Sequence, residues 1–248
     1  MHMRNRILLT AATLLALCAP SLGGDFQRPA GVVELFTSQG CSSCPPADHV
    51  LDELASSGDV IALGYHVDYW DYLGWKDTLG SPENTKRQYQ YGKSLGERSV
   101  YTPQAVINGS SHVNGGKRSA VLGAIGKTRE AGGLPIGIAV SEAGDSIIIN
   151  TDAAPNQKGN AHLVLVYFDP QHPVVIQRGE NRGKTINYAN PVTDIQTAGM
   201  WHGKAASFEF PKSEILRKGG CAVLLQSVRP GGLPGPILGA AMIGQPAS

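Results

Sequence analysis

The chain has 248 residues, 42% of them hydrophobic and 17% charged, which suits one large domain or two modest ones and excludes wholesale disorder. Its 31 glycines and 16 prolines favour many turns and short strands over a helical bundle. With 21 Lys and Arg against 20 Asp and Glu the net charge is +1, so composition carries no basic footprint for nucleic acid.

The first segment carries Arg4 and Arg6, then an apolar run of 11 residues from Ile7 to Leu17, then Pro20, Ser21, Gly23 and Gly24. That is the layout of a secretory signal, with residues 1–23 removed by a cut after Gly23. A membrane-spanning helix needs about 20 apolar residues, and this run is shorter. A retained anchor is one competing reading; lipid attachment at Cys18 is another, opposed by the bulky Leu17 before it. Loss of residues 1–23 takes away two arginines and no acid, leaving a net charge of −1. The remaining chain is expected to be periplasmic or secreted, without stable membrane insertion, where disulfides persist.

Val32 to Thr37 is a β-favouring apolar run and predicts a buried strand. Glu34 interrupts it. A buried Glu is rare unless paired, so either it has a special role or it sits at an edge with its side chain in solvent. A short turn leads to Cys41-Ser42-Ser43-Cys44-Pro45-Pro46, and Val50, Leu51, Leu54 and Ala55 then recur at helical spacing. Proline suits a first helical turn, where its missing N–H costs nothing. The C-x-x-C is therefore placed where a strand becomes a helix N-terminus. Free amides and the helix dipole stabilise a thiolate there, lowering its pKa to about 3.5–7.5. Cys41 is expected to be the more exposed and to attack; Cys44, a turn on, would resolve the mixed disulfide. A staple that only closes the turn is the alternative, although so small a loop adds little chain-entropy stabilisation. A second C-x-x-C or an H-x-x-x-H partner for zinc is missing. Cys221 opens an apolar run and reads as a buried, inert thiol.

Val60 to Val67 predicts a second buried strand, parallel to the first through the intervening helix. Residues 68–99 read as an insertion, helical from about Pro82 to Leu95. The aromatic stretch from Tyr65 to Trp75 is either a docking wall beside the thiols, with Trp70 touching substrate, or ordinary packing. His66 is either structural or a third soft-metal ligand with Cys41 and Cys44. Thr102-Pro103 precedes a strand from Gln104, and Asn108-Gly109 is a hairpin signal. Lys117 to Ala131 has helical spacing. Gly132 to Pro135 marks a boundary. Beyond it, period-2 runs such as Ile136, Ile138 and Val140, then Leu163, Leu165 and Tyr167, predict an antiparallel β domain over 133–248. Gly179 to Lys184 is a polar loop without the P-loop arrangement: a weak anion-binding candidate, or turn chemistry joined to an interdomain salt bridge.

Glu34 to Asp48, His66 to Asp71, Leu73 to Trp75, Arg87-Gln88, Val100 to Gln104 and Gly179 to Gly183 together resemble a family of secreted bacterial proteins of unknown function with a thioredoxin-like fold. The resemblance implies a thioredoxin-like domain over residues 30–132, a mixed sheet flanked by helices, ahead of the β-sandwich-like domain that the period-2 runs predict over 133–248. It implies a cis Thr102–Pro103 bond facing the thiols, with Thr102 backbone groups free to pair with an extended substrate. It also suggests Glu34 as a proton acceptor for Cys44. The expectation is then an exported thiol–disulfide oxidoreductase acting on protein thiols or disulfides. Cys41, Cys44 and Glu34 would be catalytic, Thr102, Pro103 and Trp70 would bind substrate, and no organic cofactor is implied. The alternative is a binding protein of the same fold, such as a Cu(I) chaperone, without redox turnover.

Overall fold

A computed structural model of the chain describes residues 26–156, 159–216 and 219–243; the expected export signal, with Cys18, lies outside the described residues. The first half runs β1 (Phe26–Gln27), β2 (Gly31–Thr37), α1 (Pro45–Ser57), β3 (Val60–His66), a 3-10 turn at Asp71–Leu73, α2 (Pro82–Leu95), β4 (Gln104–Ile107), β5 (Ser111–Asn114) and α3 (Arg118–Glu130). Strands β2 to β5 form one mixed sheet in the order β3-β2-β4-β5, with β2 parallel to β3 and antiparallel to β4. Both faces of β2 and β3 are covered, so every residue of these strands is buried. Asn108 and Gly109 both take positive φ, 50° and 61°, as the tight turn between β4 and β5 demands.

The second half runs β6 (Ile138–Ala143), β7 (Ser146–Thr151), β8 (Ala161–Phe168), β9 (Gln171–Val175), β10 (Thr185–Ala189), β11 (Val192–Trp201), β12 (Ala206–Pro211), α4 (Lys212–Ile215), β13 (Gly220–Arg229) and β14 (Leu233–Ile243). Two four-stranded antiparallel sheets result, ordered β11-β8-β13-β14 and β1-β6-β7-β12, and β9 pairs with β10 as a separate hairpin. Among the described residues no helix is long and apolar enough to cross a membrane.

Alternation along the strands explains the layering. Val33 and Leu35 of β2 face α1 and α3 in one apolar cluster with Leu51, Leu54 and Ile125. Val32 and Phe36 face the other way, into a core shared with Val164, Val166, Phe168, Ala222 and Leu224 of the central antiparallel sheet. The opposite side of that sheet, with Leu163, Leu165, Val223 and Leu225, packs on Ile138, Ile147 and Ile149 of the outer sheet. The layers are therefore helices, mixed sheet, central sheet and outer sheet. The boundary read at Gly132 to Pro135 marks a change of sheet and not a break in the core. The N-terminal strand crosses it as well, since β1 pairs with β6.

Candidate functional site

The turn after β2 is built by short backbone bonds. The Cys41 N–H donates to Ser38 O at 3.1 Å and the Cys44 N–H to Cys41 O at 3.2 Å. Cys44 caps α1, with Pro45 and Pro46 in its first turn, as the sequence pattern predicts. Cys41 and Cys44 are joined by a disulfide with Cα atoms 5.4 Å apart. The expectation that Cys41 is exposed is corrected: it retains 1% of its accessible surface and Cys44 retains 0%.

Two elements wall the turn in. The first is the inserted segment. Gln39 is buried; its N–H donates to Asp77 Oδ2 at 2.8 Å and its Oε1 accepts from Trp75 Nε1 at 2.8 Å. Gly40 leaves room for Trp70, whose Cβ would lie 3.1 Å from any Cβ at residue 40. The second is the β9–β10 hairpin. Asn181, at its tip, donates from Nδ2 to Gln39 O at 3.0 Å and to Cys41 O at 2.9 Å.

The peptide bond between Thr102 and Pro103 is cis. Trp70 Nε1 donates to Thr102 Oγ1 at 2.8 Å, so the residue whose Cβ and backbone lie beside Gly40 of the cysteine turn also reaches the proline turn. Pro103 O accepts from Gly115 N–H at 3.0 Å. A Cβ on Gly115 would stand 3.6 Å from Pro103 Cβ and 3.2 Å from Ala47 Cβ, which places Pro103 against the first turn of the cysteine helix. Cys41, Cys44, Trp70, Thr102 and Pro103 are thus assembled in one place.

Glu34 is not part of it. By the alternation of β2 it points to the face opposite Leu35 and α1, into the shared core. There Arg87 Nε donates to Glu34 Oε1 at 2.7 Å, and Tyr91 Oη donates to Oε2. Arg87 also donates to Gln226 Oε1 on β13 at 3.1 Å. Glu34 is buried, which overturns the edge reading, but its partners Arg87 and Tyr91 lie on α2, and only through them does it reach Gln226 of the second half. Burial alone would weaken the Arg87 guanidinium as a base; the Glu34 carboxylate reverses this and holds its pKa well above normal.

The acid behind the disulfide is Asp48, one helical turn beyond Cys44. Its N–H donates to Cys44 O at 3.1 Å and its Oδ1 accepts from Thr37 Oγ1 at 2.7 Å. Burial raises its pKa to about 7, against the lowering effects of His66 and the Thr37 hydroxyl. Asp48 Oδ2, His66 Nε2 and Tyr188 Oη have no hydrogen-bond partner among the described residues and line one small pocket. Sequence reading passed over Asp48 because a single acid in the first turn of a helix ordinarily faces solvent. The signal was its place four residues after Cys44, on the buried stripe with Leu51.

His66 is committed elsewhere: its Nδ1 lies 2.9 Å from Asp77 Oδ2 and its ring packs edge-on against Tyr188. Burial would raise the Asp77 pKa, but His66 and the N–H groups of Gln39 and Leu79 outweigh it and hold the carboxyl below its usual range. Among the described residues, Cys41, Cys44 and His66 do not form a group placed to hold a metal. Cys221 is buried, and desolvation pushes its thiol up to about 12, so it has little thiolate character near neutrality.

Residues 32–226 match the model of a protein family of unknown function, DUF1223. The chain belongs to this family. It is similar to the crystal structure of protein AGR_C_4864 from Agrobacterium tumefaciens, with 43% identity and a TM-score of 0.79 over 88% of this chain and 95% of that one. It is also similar in fold alone to HBP35 of Porphyromonas gingivalis, at 13% identity and a TM-score of 0.56 over 89% of this chain and 76% of that one. No curated protein matches.

Proposed function

We propose that this member of the family is an exported thiol–disulfide oxidoreductase with a thioredoxin-like first half, acting on protein thiols or disulfides. The carrying observation is the Cys41–Cys44 disulfide at the N-terminus of α1, beside the turn of Thr102 and Pro103. The element order β-α-β-α-β-β-α from β2 to α3 supports the fold reading. Export rests on the Arg4 to Gly24 pattern and on the need of a disulfide for an oxidising compartment.

The chemistry needs only the two sulfurs. A partner thiolate attacks Cys41 Sγ; the Cys41–Cys44 bond breaks, a mixed disulfide forms and Cys44 leaves as thiolate. A second partner thiolate attacks the partner sulfur of the mixed disulfide and releases Cys41. The partner becomes a disulfide and the protein a dithiol, with two electrons and two protons transferred. Run backwards, the dithiol reduces a partner. The proton acceptor expected at Glu34 is assigned in this reading to Asp48, which lies one helical turn beyond Cys44 and whose pKa burial raises to about 7. Thr102 and Trp70 flank the place a substrate strand would occupy.

The burial of both sulfurs favours a second reading, a static staple in a binding protein. Redox titration and exchange assays separate the two. The expected result is a measurable dithiol couple, with Cys44→Ser accumulating mixed disulfides through Cys41 and Cys41→Ser forming none. Unchanged exchange by Cys41→Ser overturns the assignment, and a couple that no thiol reduces in the folded protein supports the staple.

A further inference from the structure

The loop joining β9 to β10 has the form of a plug. Residues 177–180 and 182–185 are exposed, whereas Asn181 between them keeps 1% of its surface. Its side chain is fully used: Nδ2 reaches Gln39 O and Cys41 O, and Oδ1 accepts from Lys184 Nζ at 2.9 Å. The loop around it is shaped to drive it inward. Gly183 N–H donates to Ile176 O at 2.7 Å, and Gly179 and Gly183 take φ of 74° and 82°, which side chains resist. Gly179 lies against Trp75, where a Cβ would come within 3.3 Å of Trp75 Cβ. The base of the arm is held firmly: Val174, Ile176 and Tyr188 pack with Trp75 and Leu79, and Asn190 Nδ2 donates to Ala62 O at 2.8 Å. Anchored at its base and joined to the cysteine turn through one polar side chain, the tip is the part of this arm that can lift at least cost. Its contacts there are hydrogen bonds that water can replace, not buried apolar surface.

We propose that residues 177–184 are a lid over the redox centre, latched by Asn181, and that a partner thiol reaches Cys41 only when the lid lifts. The inference rests on the redox reading and adds its gate. It accounts for a C-x-x-C at a helix N-terminus whose first cysteine is sealed from solvent. The second half then contributes directly to the site, as a cover that admits a partner able to displace Asn181 from the Gln39 and Cys41 carbonyls.

The test is the rate at which dithiothreitol reduces the disulfide of the oxidised full chain under native conditions, followed by alkylation of the freed thiols. In the wild type the rate is expected to level off as dithiothreitol rises, because lifting becomes limiting. Asn181→Ala removes both donors and is expected to speed reduction by about tenfold at low dithiothreitol. Asn181→Asp, which sets a carboxylate against the same two carbonyls, is expected to do the same, and serves if the alanine variant does not fold. Glu180→Ala, on the exposed side of the loop, is expected to match the wild type. Equal rates in the wild type and the Asn181 variants, linear in dithiothreitol throughout, overturn the lid and leave the redox centre standing. Equal acceleration by Glu180→Ala overturns the latch role of Asn181. A disulfide that resists dithiothreitol in the wild type and both Asn181 variants until the protein is denatured overturns the redox reading and the lid with it.

Discussion

Asp48 and Glu34 are both buried carboxyls within reach of the first apolar layer, and their surroundings give them opposite tasks. Glu34 meets a guanidinium and a phenol, so its charge is matched inside the core. Asp48 meets one hydroxyl and a histidine already engaged by Asp77, with Tyr188 across the pocket, and desolvation dominates. The consequence for stability has a definite sign. With its pKa raised from 3.8 to about 7, Asp48 holds a proton in the folded state that the unfolded chain releases. Its favourable contribution is complete below about pH 4 and is lost as pH rises through about 7. Asp48→Asn removes this dependence. In urea titrations the variant is expected to gain on the wild type by up to about 4 kcal/mol between pH 4 and pH 8. A difference that stays flat over that range removes Asp48 from the proton-exchange role.

At the scale of elements, the meeting of α1 with the turn of Pro103 depends on a residue without a side chain. Gly115 follows β5, and a Cβ there would press to 2.6 Å from Leu35 Cδ1 and 3.2 Å from Ala47 Cβ. Gly115→Ala is expected to destabilise the fold by about 1–3 kcal/mol through overpacking. It should also shift α1 away from the proline turn and slow disulfide exchange; thermal melts and exchange rates check the two effects. Gly64 works similarly on β3, where a Cβ would stand 3.2 Å from Ala189 O at the base of the hairpin arm. The elements themselves were legible. Helices were expected from about Pro82 to Leu95 and between Lys117 and Ala131, and α2 and α3 occupy those places: α3 buries Val121 and Ile125 at helical spacing, while α2 is capped by Ser81 and ended at Gly96 and buries a mostly polar face. The hairpin β9–β10 was legible only as a polar loop between strands, since nothing in Gly179 to Lys184 says which distant turn Asn181 will meet.

Among the separate apolar layers, one is built from both halves of the chain and binds them together. Phe36, Tyr65 and Val106 from the mixed sheet pack with Val166, Leu224 and Ala240 from the central sheet. The Glu34, Arg87, Tyr91 and Gln226 network crosses the same interface, with Gln226 Nε2 donating to Tyr91 Oη at 2.7 Å. The full chain is therefore expected to unfold in one cooperative transition. A fragment ending at residue 132 would bare the apolar face of β2 and β3 and should show no such transition. Calorimetry and near-UV circular dichroism of both would check this; a separately folding fragment would mean that the shared core is dispensable. Strands, helices and the C-x-x-C at a helix start could be read along the chain, because each depends on neighbours a few residues apart; the mixed sheet was expected only from the family resemblance, since it pairs Val33 with Ile107. The direction of Glu34, the sealing of Cys41 and the burial of Asp48 could not. They depend on which face of β2 meets which layer and on a hairpin tip 140 residues from Cys41, contacts that only closure of the folded layers brings about.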